Sequence, residues 1–162
     1  MAVVGSDTQW GEKYYHGIGI VEVVWKVVAA ILNFRIIASI TFHNFLHGFR
    51  AGCGTGTVTL KAKLFQQLAA LRKEVLYVIF LGLHKAYDVL DRSRCIDIPE
   101  GYSVVPRALR ILQTYWIRMK MVAMAVGYYG VAFPGARVVT QGDPLSPTIL
   151  NVVVDVLVLH WV

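Results

Sequence analysis

Three stretches hold the residue types best suited to chemistry. GFRAGCGTGT, Gly48 to Thr57, sets Arg50 in a glycine-rich loop of the kind that approaches phosphates. It is not a P-loop, because no Gly-Lys-Ser/Thr follows. A phosphate contact and a solvated loop arginine explain Arg50 equally well. HKAYDVLD, His84 to Asp91, places Tyr87 next to Asp88 and close to Asp91. QGDPLSPTILN, Gln141 to Asn151, combines three properties. Gln141 offers a donor and acceptors. Gly142 lets a backbone approach a ligand closely. Asp143 sits in a turn, where Asp commonly bonds its own backbone.

Other chemistries find less support. His43 and His47 have the i, i+4 spacing of a helical zinc pair, but Asn44 stands where a general-base Glu is needed and Gly48-Phe49 ends the helix. Cys53 and Cys95 form no CxxC pair, so neither a disulfide framework nor a zinc site is indicated, and free thiols in a reducing compartment are expected. No Ser/His/Asp arrangement emerges from spacing. Arg107, Arg110, Arg118 and Lys120 fit either nucleic-acid backbone contacts or a solvated helix face.

The elements that must position these residues follow from periodicity. Val21, Val24, Trp25, Val28, Ile31 and Leu32 recur at helical spacing, as do Leu60, Leu64, Leu68 and Leu71. VLYVIFL, Val75 to Leu81, predicts a buried strand. A helix is expected near Asp88, whose carboxylate would cap it. Another starts at Pro106, with Leu109, Leu112, Trp116 and Met119 on one side. Gly127 to Val139 predicts a hairpin around Pro134-Gly135. Ser146 as N-cap and Pro147 at the first helical position open a last helix. Strands do not alternate regularly with helices, so the expected class is α+β and not a doubly wound sheet.

The bulk properties bound the function. The 162 residues fit one domain or a fragment, and 56% are hydrophobic, ample for a core. Sixteen Lys and Arg against ten Asp and Glu give a net charge of +6, which suits a polyanion partner. Asp7, Glu12 and Lys13 occupy the place of a signal peptide's apolar region. Glu22 and Lys26 interrupt the apolar stretch from Gly17 to Leu32, and Asp155 and His160 interrupt the tail. No membrane span is expected, and an intracellular location, cytoplasm or nucleus, follows. The chain stops inside an apolar helix, as a truncated domain would.

Four segments, in order, resemble reverse transcriptases of the non-LTR retroelement and group II intron type. His16 to Leu32 is similar to a fingers segment. Trp25-Lys26 matches its aromatic-Lys pair, while His16 and Gly17 replace the usual Arg and Pro. His47 to Thr57 resembles Q-x-G-F-R-x-G-R-S-T through Gly48, Phe49, Arg50, Gly52 and Thr55, with Cys53 in place of a basic residue. Val75 to Asp91 looks like the first catalytic palm motif. Lys85, Ala86, Tyr87, Asp88 and Asp91 are in register, and Gly82 occupies the place of the metal-binding aspartate. The most specific match is VVTQGDPLSPTILN, Val138 to Asn151, nearly letter for letter.

The resemblance implies fingers at 16–74 and a partial palm at 75–162 of a right-hand polymerase, with 1–15 unassigned. It implies truncation before the aromatic-x-Asp-Asp motif and the thumb. The family copies RNA into DNA, joining a deoxynucleotide to a primer 3′ hydroxyl with two divalent metals held by carboxylates. Tyr87 would be the steric gate against a ribose 2′ hydroxyl, the alternative being an aromatic packed on the palm sheet. Gln141 and Gly142 would lie against the nascent base pair, and Arg50 near template or triphosphate phosphates. The implied partners are an RNA template, a DNA primer and a dNTP. Mg²⁺ is the family's cofactor, but with Gly82 in place and the Asp-Asp motif absent, no productive metal binding and no catalysis by this chain alone are expected. Two alternatives remain: a non-catalytic nucleic-acid-binding remnant, and a hydrophobic interaction or membrane-associated protein.

Overall fold

The computed structural model describes residues 2–3, 18–102, 104–125, 127–135 and 139–160. Most of the unassigned segment 1–15, His16 and Gly17 of the fingers match, 136–138 of the expected hairpin, and the last two residues of the apolar tail lie outside these.

Helix α1, Val23–Ser39, buries Trp25, Ala29, Leu32 and Ile36. Their spacing of four, three and four residues makes one stripe. Val24 and Ile31, expected on that stripe, are exposed. The helix is apolar nearly all round, so periodicity predicts the helix but does not select its buried face. Helix α2, Thr55–Arg72, forms as expected but buries nothing. Its leucine stripe has no partner element among the described residues.

After α2 come the short helices α3, Ala86–Val89, and α4, Arg94–Gly101, then α5, Pro106–Arg118, and, after the hairpin region, α6, Ser146–Leu159. Helix α5 has Pro in its first turn and buries Ala108, Leu109 and Leu112. Helix α4 packs on both α5 and α6, α1 on α5, and α3 on α6. Ile36, Leu112, Leu145, Ile149 and Val152 fill the centre.

The strands are short. β1 (Ala2–Val3) pairs antiparallel with β2 (Ile18–Gly19) and parallel with β4 (Ala123–Ala125), which pairs antiparallel with β5 (Tyr128–Tyr129). Separately, β3 (Lys120–Met121) pairs antiparallel with β6 (Phe133–Pro134). The hairpin expected to turn at Pro134-Gly135 is therefore replaced by one turning at Gly127, whose φ of +81° suits a tight turn. Pro134 sits instead at the end of an edge pair, where a missing N–H costs nothing.

The largest departure is VLYVIFL. Residues 74–83 form no helix or strand, and Ile79 and Phe80 are 82% and 92% exposed. A strand of this composition is stable only when it is paired and covered, and the described strands pair elsewhere. Two capping expectations also change. Lys85, at φ +46°, is the N-cap of α3, so Asp88 is not its cap. Leu145 is the N-cap of α6, and the Ser146 hydroxyl donates to the Thr140 carbonyl at 2.7 Å. Among the described residues no helix is long and apolar enough to cross a membrane.

Asp155, 1% exposed, ties three segments together. It accepts the His43 N–H and the Tyr102 hydroxyl, each at 2.9 Å. Burial, and then the Asp155 bond, push the Tyr102 phenol from 10.0 up to about 12. Burial also pushes Tyr115 up to about 12. A folded state that holds these protons more tightly than the unfolded chain has their stabilisation in full below pH 10.0. It loses it as pH rises through about 12. Denaturant midpoints measured across that window are expected to fall, and to fall less steeply in Tyr102→Phe. An equally steep fall in Tyr102→Phe would remove Tyr102 as a contributor.

Candidate functional site

The QGDP turn is fixed by a dense set of bonds. Asp143 N–H donates to the Thr140 carbonyl and Ser146 N–H to the Asp143 carbonyl, both at 3.1 Å. Gly19 N–H donates to the Gln141 carbonyl at 2.7 Å, attaching β2 to the turn. Val139 N–H donates to the Tyr87 carbonyl at 3.1 Å. That bond ties the backbone at Tyr87 to the residues leading into the turn, across more than fifty residues of chain. Tyr87 is half-buried against the core, and burial raises its phenol pKa. The Gln141 side chain is exposed.

Gly142 has φ +117°, a conformation that only glycine adopts at ease. A Cβ there would lie 2.4 Å from the Gly19 carbonyl oxygen. One side of the space that glycine leaves is therefore taken by the chain's own backbone. Gly19 is equally tight, since a Cβ on it would meet Thr140 Cγ2 at 1.8 Å.

Asp143 is buried. Its Oδ1 accepts the Leu145 N–H at 2.9 Å, the local bond the turn motif predicts. Its Oδ2 accepts the Trp25 indole N–H at 2.6 Å, which sequence reading misses. A buried indole N–H needs an acceptor, and that is the available signal, though it names no partner. Trp25 in turn stacks on Tyr115, with ring centroids 3.3 Å apart and planes within 3°. Sequence reading also passes over Arg92, buried behind this group. Arg92 donates to the Trp116 carbonyl at 3.4 Å, and its guanidinium lies 5.6 Å from the Trp116 ring centre. Burial lowers the Arg92 pKa, while the charges of Tyr115 and Asp143 oppose that shift.

Arg50 lies in a different corner. Its guanidinium donates to the His43 and Leu46 carbonyls at 2.9 and 2.8 Å and sits over the Phe42 ring. Asn151 of α6 holds the same loop through the Gly48 carbonyl at 2.7 Å. His43 and His47 are not on a helix. His47 Nε2 is 2.9 Å from the Lys61 ammonium and Nδ1 is 2.8 Å from the Thr57 hydroxyl. An ammonium only donates, so Nε2 accepts and Nδ1 carries the proton.

Gly82 is exposed, with nothing within 4 Å of an added Cβ. It supplies no side-chain ligand, and no group of three His, Cys, Asp or Glu gathers among the described residues. At this position the described residues offer no carboxylate to a divalent metal.

The open space beside the turn is a cleft of about 640 Å³, lined by Glu22, Tyr115, Arg118, Lys120 and Thr140 among others. A second cleft, of about 410 Å³, runs along α5 past Trp25, Arg107, Arg110, Tyr115 and Arg118.

No protein-family model matches the chain. The chain is similar to the retrovirus-related Pol polyprotein of the type-2 retrotransposable element R2DM from Drosophila melanogaster, with 27% identity over 143 residues. That stretch is 87% of this chain and 13% of the polyprotein. The similarity thus falls on one short region of a retrotransposon polyprotein.

Proposed function

We propose that the chain is a reverse-transcriptase-type region of a retroelement, a fingers and partial-palm fragment. In this reading it keeps the wall that faces nucleotide and template, with Gly82 at the position of a metal-binding carboxylate. One observation carries it: the QGDP turn and the KAYD segment, far apart in the chain, are joined by the Val139–Tyr87 hydrogen bond. Tyr87 acts as the sugar-facing ring, Gln141 and Gly142 face the nascent pair, and Arg50 stiffens the fingers loop near the template. The partners are an RNA template, a DNA primer and a dNTP. Mg²⁺ is not held productively, because Gly82 brings no carboxylate.

Purified chain given a primed RNA template, dNTPs and Mg²⁺ is expected to extend no primer above background. Gly82→Asp is expected to behave the same, since one carboxylate does not make a two-metal site. The substitution meets open space, so an unchanged melting curve should accompany it. Extension by the unmodified chain would overturn the inactive assignment.

The exposed apolar residues of α2 and of 74–83 favour a second reading, a hydrophobic interaction protein. Detergent-dependent solubility without nucleic-acid affinity would support it.

A further inference from the structure

We infer that the groove along α5 binds the phosphodiester backbone of single-stranded nucleic acid and leads it to the QGDP turn. This locates, and rests on, the nucleic-acid role proposed above. The two clefts adjoin at Tyr115 and Arg118, which line both, and the first of them reaches Thr140. Arg107, Arg110, Arg118 and Lys120 line the two clefts against a single carboxylate, Glu22. All four cations are exposed. Their side chains have no hydrogen-bond or ion-pair partner among the described residues.

Helical geometry aligns these groups. Arg107 and Arg110 are three residues apart and share a face. Arg118 follows Arg107 by eleven residues, three turns on and back near the same face, about 16 Å along the axis at ~1.5 Å per residue. That length spans a few successive phosphates of a single strand. A merely solvated helix face mixes both signs of charge, yet no Asp or Glu occurs from Gly101 to Gly142. Tyr115, stacked through one face on Trp25, lines both clefts and offers its other face to an unpaired base, which selects single strands over duplex.

The test is binding of the full chain to a fluorescent 15-nucleotide single-stranded RNA across a salt series. Arg110→Gln/Arg118→Gln is expected to weaken binding about tenfold at 0.1 M salt and to flatten the log–log salt slope by about 1.4, two phosphate contacts at ~0.7 each. Lys63→Gln/Arg72→Gln removes the same charge from α2 and should stay within about twofold of the unmodified chain. Equal losses in both double variants, or no loss in the first, overturn the groove while leaving the nucleic-acid reading standing. No binding by the unmodified chain at low salt overturns that reading itself. Tighter binding of duplex than of single strand overturns the single-strand assignment. Photo-crosslinking of 4-thiouridine RNA to the unmodified chain needs no variant to fold. It should mark residues within 107–120, and adducts confined elsewhere refute the groove.

Discussion

Gly142→Ala is expected to cost about 3 kcal/mol of folding stability. The backbone at Gly142 has φ +117°, and a non-glycine residue in such a region costs of order 1–3 kcal/mol. The new Cβ would also stand 2.4 Å from the Gly19 carbonyl oxygen. That is a backbone atom, and it can retreat only if β2 leaves the turn. Retreat breaks the 2.7 Å bond from Gly19 N–H to the Gln141 carbonyl, worth about 1 kcal/mol. Against total stabilities of about 5–15 kcal/mol, a loss of about 3 kcal/mol is about a fifth to somewhat over a half of the whole. At a urea slope of about 2 kcal/mol/M, the midpoint should drop by about 1.5 M. Gly56→Ala provides the contrast. It lies in α2 with nothing within 4 Å of an added Cβ, and should gain up to about 1 kcal/mol from helix propensity. Equal midpoints for Gly142→Ala and the unmodified chain would show that the turn and β2 are not packed as described.

How far sequence reaches into this fold depends on whether the deciding interaction is local. Helices α1, α2, α5 and α6 are legible because their apolar residues repeat over several turns. The start of α5 is legible because Pro106 is a local signal. Burial is less so. Leu60 and Leu64 repeat as core residues do, yet stay exposed for want of a facing element. VLYVIFL has a strand's composition, but a strand also needs a neighbour, and no residue within the segment encodes one. The hairpin is misplaced in sequence because Pro134-Gly135 outweighs Gly127, although the positive φ falls at Gly127. In the site, the Asp143–Leu145 bond spans two residues and is readable. The Asp143–Trp25 bond spans 118 residues and is not. Arg92 and Asp155 escape notice because charged residues are rarely buried unless paired, and their partners are set by the tertiary structure. Gly82 is readable as a position that offers no side-chain ligand, which holds whatever the packing.

Asp143 carries the second large effect, and its test separates a structural carboxylate from a catalytic one. Asp143→Ala is expected to destabilise the chain by about 2–5 kcal/mol. It leaves two donors without their acceptor, the Trp25 indole N–H and the Leu145 N–H, each costing about 1–3 kcal/mol when buried and unpaired. It also removes a negative charge that acts on buried Arg92. Asp143→Asn should fall between, because one amide oxygen can serve only one of the two donors well and the NH₂ must face the other. Trp25→Phe supplies the control. It deletes the indole donor along with some packing against Tyr115, so its own cost is not informative. The double variant is, because Asp143→Ala strands one donor fewer when Trp25→Phe is already in place. The two changes should then fall short of additivity by about 1 kcal/mol or more, within the range of about 0.5–3 kcal/mol for residues in direct contact. Strict additivity would mean that the indole and the carboxylate do not share the bond. α1 would then be anchored to the QGDP turn by packing alone, and the turn at Gln141 and Gly142 would owe its position to the Gly19 and Tyr87 backbone bonds.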